Sequence, residues 1–120
     1  MNILVVEDDP SVRDTLGMVL ESCGHEAKLV KNGEQALERL KNEWPDVMLL
    51  DLTLPGMSGE EVFQAVLNAF GRIPPTIVVS AAQQGAKRAS SMLGALFLAK
   101  PYTIEELEDI IQEAARIRAA

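Results

Sequence analysis

Three consecutive acids, Glu7, Asp8 and Asp9, follow the short apolar run 3–6. Asp51 follows the run 47–50, Ser80 follows 77–79, and Lys100-Pro101 follows 95–99. Carboxylates with no His or Cys beside them suit a hard cation such as Mg²⁺. That ion takes one or two carboxylates, keeps some water and shares its remaining positions with phosphate oxygens. Crowded carboxylates can also raise their pKa values or pair with cations, and Lys100 balances only one charge. Asp51 is therefore a ligand or a nucleophile, since a carboxylate can attack phosphorus to give an aspartyl phosphate. Such a transfer needs mainly positioning and charge neutralisation, which Mg²⁺, Lys100 and the Ser80 hydroxyl could supply to the phosphoryl oxygens.

These groups are far apart along the chain, so the chemistry depends on the elements that gather them. Solid apolar runs at 3–6, 47–50, 77–79 and 95–99, with a further strand at 26–30, read as strands buried on both faces of a parallel sheet. Helical patterns fill the gaps. Val12, Leu16, Val19, Leu20 and Cys23 share one face before Gly24, and Ala36, Leu37, Leu40 and Trp44 mark a second helix ended before Pro45. Val62, Phe63, Val66, Leu67 and Phe70 precede Gly71, and a weaker fourth helix is expected near 85–93. Thr103 and Glu106 form a capping-box pattern ahead of Leu107, Ile110, Ile111 and Ala114. Strict strand–helix alternation predicts an α/β fold, a doubly wound flavodoxin-like (βα)₅ unit with strand order 2-1-3-4-5. Ligands in such folds bind beyond the C-terminal strand ends, where all the polar groups above are placed.

The composition narrows the function classes. With 120 residues the chain has room for one core, so residues 1–120 are expected to form a single domain. The formal net charge of −7 argues against a duplex-binding face and against a cationic membrane-surface helix. The apolar runs are too short to span a bilayer, and acids arrive before a signal-peptide core could form. One cysteine excludes an internal disulfide, so a cytoplasmic protein is expected.

The acidic run Glu7-Asp8-Asp9, the stretch Asp51-Leu-Thr-Leu-Pro-Gly-Met-Ser-Gly59, Ser80-Ala81 and Lys100-Pro101-Tyr102 occur in order at successive strand ends. In these features the chain resembles the receiver domain of two-component response regulators over essentially its whole length. The resemblance implies that Asp51 accepts a phosphoryl group from a phosphohistidine on a sensor kinase or phosphotransfer protein. It implies that Asp8, Asp9, Asp51 and the backbone carbonyl of Thr53 hold Mg²⁺. Lys100 would pair with the phosphoryl group and Ser80 would move to hydrogen-bond it, while Phe97 matches the aromatic position that rotates inward. The state of Asp51 would reach a surface of the fourth helix, fifth strand and fifth helix, open to a target or a second copy. Partner kinases would dock on the first helix. Pro101 matches a proline whose preceding bond is cis in that family. No turnover of a free substrate is implied. Ser80 stands where Thr is commoner, and Phe97 lacks the hydroxyl of the frequent Tyr, which favours a buried rotamer. Thr53 and Ala82, flanking the path of the attacking water, are not ionisable.

Plainer roles compete residue by residue. Asp9 before Pro10 is a helix N-cap pattern, expected to serve alongside a metal role. Glu7 reads as a solvated acid, His25 as a surface residue and Cys23 as a buried helix residue. Trp44 is expected to pack at the end of the second helix. Lys87 and Arg88 allow ionic pairing with the acids of a second copy's last helix. Two other functions remain open. One is a phosphate-independent interaction module of the same fold, against which Asp51, Ser80 and Lys100 argue. The other is a Mg²⁺-dependent phosphohydrolase using an aspartyl phosphate, for which no cap insertion is present.

Overall fold

The computed structural model describes residues 1–89, 91–92 and 94–119. Along the chain run β1 (Asn2–Val6), α1 (Pro10–Ser22), β2 (Glu26–Val30), α2 (Gly33–Asn42), β3 (Val47–Asp51), α3 (Gly59–Phe70), β4 (Thr76–Ala81), α4 (Ala82–Ala89), β5 (Leu96–Lys100) and α5 (Ile104–Ala119). The five strands pair in parallel in the order β2-β1-β3-β4-β5, as the alternation predicts.

Side chains of successive strand residues point to opposite faces, and the two cores divide accordingly. Ile3, Val5, Val47, Leu49, Ile77, Val79 and Leu98 pack with Leu16 and Leu20 of α1 and Leu107, Ile111 and Ala114 of α5. Leu4, Val6, Met48, Leu50 and Val78 pack with Ala36, Leu40, Val62, Phe63 and Val66 from α2 and α3. Both layers contain fully buried branched side chains, each stabilising by about 1.5–3 kcal/mol.

The helix boundaries follow from local chemistry. Asp9 caps α1 by accepting from the Ser11 and Val12 N–H groups at 2.9 and 3.2 Å, with Pro10 in the first turn. Ser58 and Glu61 form a reciprocal capping box on α3, which ends on Gly71 at φ 70°, a backbone conformation that favours glycine. Thr103 and Glu106 exchange bonds of 3.0 Å at the start of α5, as the capping-box pattern predicts. The second helix ends at Asn42, short of Trp44. Trp44 packs instead edge-on to Phe70, with ring centroids 5.5 Å apart, beneath the Arg72 guanidinium at 4.1 Å. The fourth helix begins directly on β4 at Ala82 and runs to Ala89, earlier than expected; Leu93, placed in it by the sequence, lies outside the described residues.

Two expectations are corrected. His25 is buried at 9% exposure rather than on the surface. Its Nδ1 lies 3.2 Å from the N-terminal ammonium, and its Nε2 lies 2.9 Å from both Glu108 oxygens. An ammonium can only donate, so Nδ1 accepts and Nε2–H donates to Glu108. Cys23 is exposed, because α1 ends at Ser22 and Cys23 stands at its C-cap, off the buried face. Among the described residues, no helix is long and apolar enough to cross a membrane.

Candidate functional site

Sheet register brings the first two acids together. Val6 lies opposite Leu50, so the next residues along, Glu7 and Asp51, are neighbours at the carboxyl edge. Glu7 continues the alternation of Ile3 and Val5, and Asp51 that of Val47 and Leu49, so both share the α1/α5 face. Lys100 follows Leu96 and Leu98 in the same alternation. Its Nζ lies 3.4 Å from Asp51 Oδ2 and 3.7 Å from Glu7 Oε1. The Lys100–Pro101 peptide bond is cis, as the resemblance implies.

Asp51 is 7% exposed and Glu7 4%, so two carboxylates share one half-exposed lysine in a poorly solvated place. The Thr53 N–H donates to Asp51 Oδ1 at 2.9 Å. Burial pushes the Glu7 carboxyl up to about 7, helped by its hydrogen bond with Asp51 and by that residue's charge. The Asp9 N–H and Lys100 pull the other way and do not offset it. Tyr102 lines the small cavity beside Glu7, Asp51 and Lys100. Burial holds its phenol above the usual range, with smaller contributions from the Glu7 and Asp51 charges.

One oxygen each from Glu7, Asp8 and Asp51 lies within 4.8 Å of the others. This all-oxygen set fits Mg²⁺, and a cation there would offset the burial and the neighbouring charge that raise the Glu7 carboxyl. The membership differs from the sequence expectation. Glu7 is buried in the cluster rather than solvated, while the exposed Asp9 carboxylate is committed to the α1 N-cap. The signal was present in the chain. Glu7 keeps the face parity of β1, and Asp-Pro marks a helix start. The carbonyls of Glu7 and Asp8 both accept from Arg13 Nη1, at 3.1 and 3.3 Å, which holds this turn against α1.

Ser80 and Phe97 belong to the opposite face. Ser80 follows Thr76 and Val78 along β4 and is 8% exposed, and Phe97 pairs with Val78 and packs partly buried against the second core layer. The Phe97 ring lies against Gly85 of α4. A Cβ there would stand 2.5 Å from Phe97 Cε1 and 2.9 Å from Ser80 Cβ, so only glycine lets helix, ring and hydroxyl residue approach this closely.

Arg88 already has partners within its own chain. It donates from Nε and Nη2 to the two Glu60 oxygens, both at 2.6 Å, and from Nη2 to the Leu52 carbonyl at 3.3 Å. A separation of 28 residues left no signal for this pair in the sequence. Between α1 and α5 an open, largely apolar groove of about 460 Å³ is lined by Val12, Leu16, Val19, Tyr102, Ile104 and Leu107, among others.

Comparison with known proteins bears on this site. Sensory transduction protein RegX3 of Mycolicibacterium smegmatis is 38% identical over 119 residues, covering 98% of this chain and 49% of that protein. Response regulator MprA of Mycobacterium leprae is 34% identical over 121 residues, covering 99% of this chain and 50% of that protein. The chain thus spans about half the length of these curated relatives. Among solved structures, the receiver domain of sensor histidine kinase PA1611 from Pseudomonas aeruginosa superposes with a TM-score of 0.86 at 30% identity, covering 96% of this chain and 97% of that one. That structure holds a magnesium ion in its active-site cleft. Chemotaxis protein CheY4 of Vibrio cholerae, at 23% identity and a TM-score of 0.83 over 94% of this chain and 97% of that one, shares the fold. Residues 3–112 match the family model of the response regulator receiver domain, and the chain belongs to that family.

Proposed function

We propose that residues 1–120 form one phosphoacceptor switch of a two-component relay, with Asp51 as the acceptor. The observation that carries this reading is the Asp51 carboxylate, buried at the strand ends with Lys100 Nζ at 3.4 Å and two further acids beside it. The Asp51 oxygen attacks phosphorus, an O–P bond forms, and the bond to the donor imidazole nitrogen breaks, its electron pair leaving with the imidazole. Asp8, Asp51 and the Thr53 carbonyl would hold Mg²⁺, with Glu7 beside them. Bound Mg²⁺ supplies neutralisation of the phosphoryl oxygens. Lys100 pairs with one phosphoryl oxygen, and the Thr53 N–H keeps Asp51 oriented. The Ser80 hydroxyl turns to another oxygen, and the Phe97 ring moves with it against Gly85, carrying the change to the surface of α4, β5 and α5. The chain acts only on its own phosphorylation and turns over no free substrate.

The donor is a sensor histidine kinase or a phosphotransfer protein of the cytoplasm, seated along the apolar groove of α1. A target or a second copy meets the α4-β5-α5 surface. Intact mass after incubation with Mg²⁺ and acetyl phosphate tests the reading. One added phosphoryl group, lost in mild alkali and absent from Asp51→Asn, is the expected result. No gain in mass, together with no binding of Mg²⁺ and beryllofluoride, overturns it.

A further inference from the structure

A second ionic pair connects to Asp51 through the carboxylate oxygen other than the one Lys100 meets. Arg88 grips Glu60 with two hydrogen bonds of 2.6 Å, fastening α4 to the first turn of α3. An isolated, half-exposed pair of this kind contributes little by itself. Its third bond gives it a different reach. The Leu52 carbonyl that accepts from Arg88 Nη2 at 3.3 Å also accepts from the Gly59 N–H at 3.3 Å. The same peptide unit presents the Thr53 N–H at its other end, and that group donates to Asp51 Oδ1 at 2.9 Å.

One planar peptide therefore joins the guanidinium to the acceptor carboxylate. A peptide plane turns as a unit, so fixing its oxygen fixes the direction of its N–H. A cation at the oxygen also polarises the N–H and strengthens the bond it donates. The guanidinium is held firmly charged, first by its hydrogen bond to Glu60 and, as a smaller contribution, by the Asp51 charge itself.

We propose that Arg88 is a positioning residue for Asp51, acting through the Leu52–Thr53 peptide, and that it couples the state of Asp51 to the placement of α4. This rests on the phosphoacceptor reading of Asp51. A phosphoryl group on Asp51 changes what its oxygens ask of the Thr53 N–H, and the peptide passes that change to Arg88. By linkage, whatever displaces α4 alters Asp51 in return. The route is separate from the contact of Ser80 and Phe97, which meets α4 at Gly85. The helix is thus held at two points, and the two respond to different atoms of the site.

Arg88→Gln and Glu60→Gln, compared with the unaltered chain, test the proposal. Three quantities are read: the initial rate of phosphoryl uptake from acetyl phosphate by intact mass, the Thr53 amide proton shift in the metal-free chain, and the shifts of α4 amides on adding Mg²⁺ with beryllofluoride. Arg88→Gln is expected to slow uptake roughly tenfold, as small misplacements of reacting groups do. It also moves the Thr53 proton upfield and blunts the α4 response. Glu60→Gln leaves Arg88 on the Leu52 carbonyl, so uptake stays within about twofold and the Thr53 proton does not move. An Arg88→Gln chain with the unaltered rate and an unmoved Thr53 proton overturns the proposal. Equal losses in both variants overturn it too, since they report only a loosened fold. If the unaltered chain takes up no phosphoryl group, the phosphoacceptor reading fails. The Thr53 shift in the metal-free variants then still decides whether Arg88 acts on this peptide. Should Arg88→Gln not fold, Arg88→Met replaces it; methionine keeps an apolar stem of similar length but donates nothing to the Leu52 carbonyl, so an unmoved Thr53 proton there overturns the link.

Discussion

Replacing Glu7 by glutamine separates the electrostatic cost of the acidic cluster from its packing. The Glu7 carboxyl rises from 4.5 to about 7 in the folded chain, so folding favours its protonated form. Between those values the native state binds more protons than the unfolded one, and stability falls as pH rises. The loss begins above 4.5 and is complete above about 7. At about 1.4 kcal/mol per pH unit it amounts to roughly 3 kcal/mol in the metal-free chain. Glutamine does not titrate, and its amide can donate to Asp51 as the protonated acid does. Glu7→Gln is therefore expected to match the unaltered chain near pH 5 and to exceed it by about 2–3 kcal/mol near pH 8. Urea unfolding across that range, with a chelator present and the slopes compared, measures this directly. Mg²⁺ should narrow the gap at the alkaline end, because a bound cation removes the penalty the glutamate carries. Parallel pH profiles for the two chains, or a variant weaker at every pH, would refute the reasoning.

Asp8→Asn should abolish most Mg²⁺ affinity, whereas Asp9→Ala should retain it and lose about 1 kcal/mol of stability with the α1 cap; metal titration and chemical denaturation of both chains distinguish the roles. Gly85→Ala forces a Cβ into the Phe97 ring, so a loss of about 1–3 kcal/mol and faster amide exchange across α4 are expected. His25→Ala removes a buried ring with partners at both nitrogens, and a thermal melt should show a loss of roughly 2 kcal/mol, with α5 exchanging faster near Glu108.

Much of this molecule is legible in its sequence, for identifiable reasons. The strands that are buried on both faces advertise themselves as unbroken apolar runs, and alternation with helices leaves little choice of topology. The strand-end placement of Asp51, Ser80 and Lys100 follows from that topology alone. What was misread depends on side-chain direction within a single turn. Three acids in a row differ in sequence only by one position each, yet Glu7, read as solvated, still obeys strand parity and is buried, while Asp9 caps α1 as its place before Pro10 predicts. His25 looked exposed because its partner Glu108 is 83 residues away and its other partner is the chain's own amino group. The Arg88–Glu60 pair was hidden for the same reason, since only the packing of α4 on α3 makes the two residues neighbours.

The strand order has a mechanical side. Glu7 and Asp51 extend from β1 and β3, interior strands gripped by a neighbour on each flank, and every residue of β3 is buried. Lys100 and Phe97 ride on β5, the margin of the sheet, gripped on one flank and mostly half-buried. The site is thus mounted across parts of unequal stiffness, one clamped like an anvil and one hinged like a leaf. A phosphoryl group carried on Asp51 and paired with Lys100 would stitch the compliant margin to the rigid centre. Its arrival should register less as movement of the acids than as stiffening of β5, readable as slowed amide exchange along that strand.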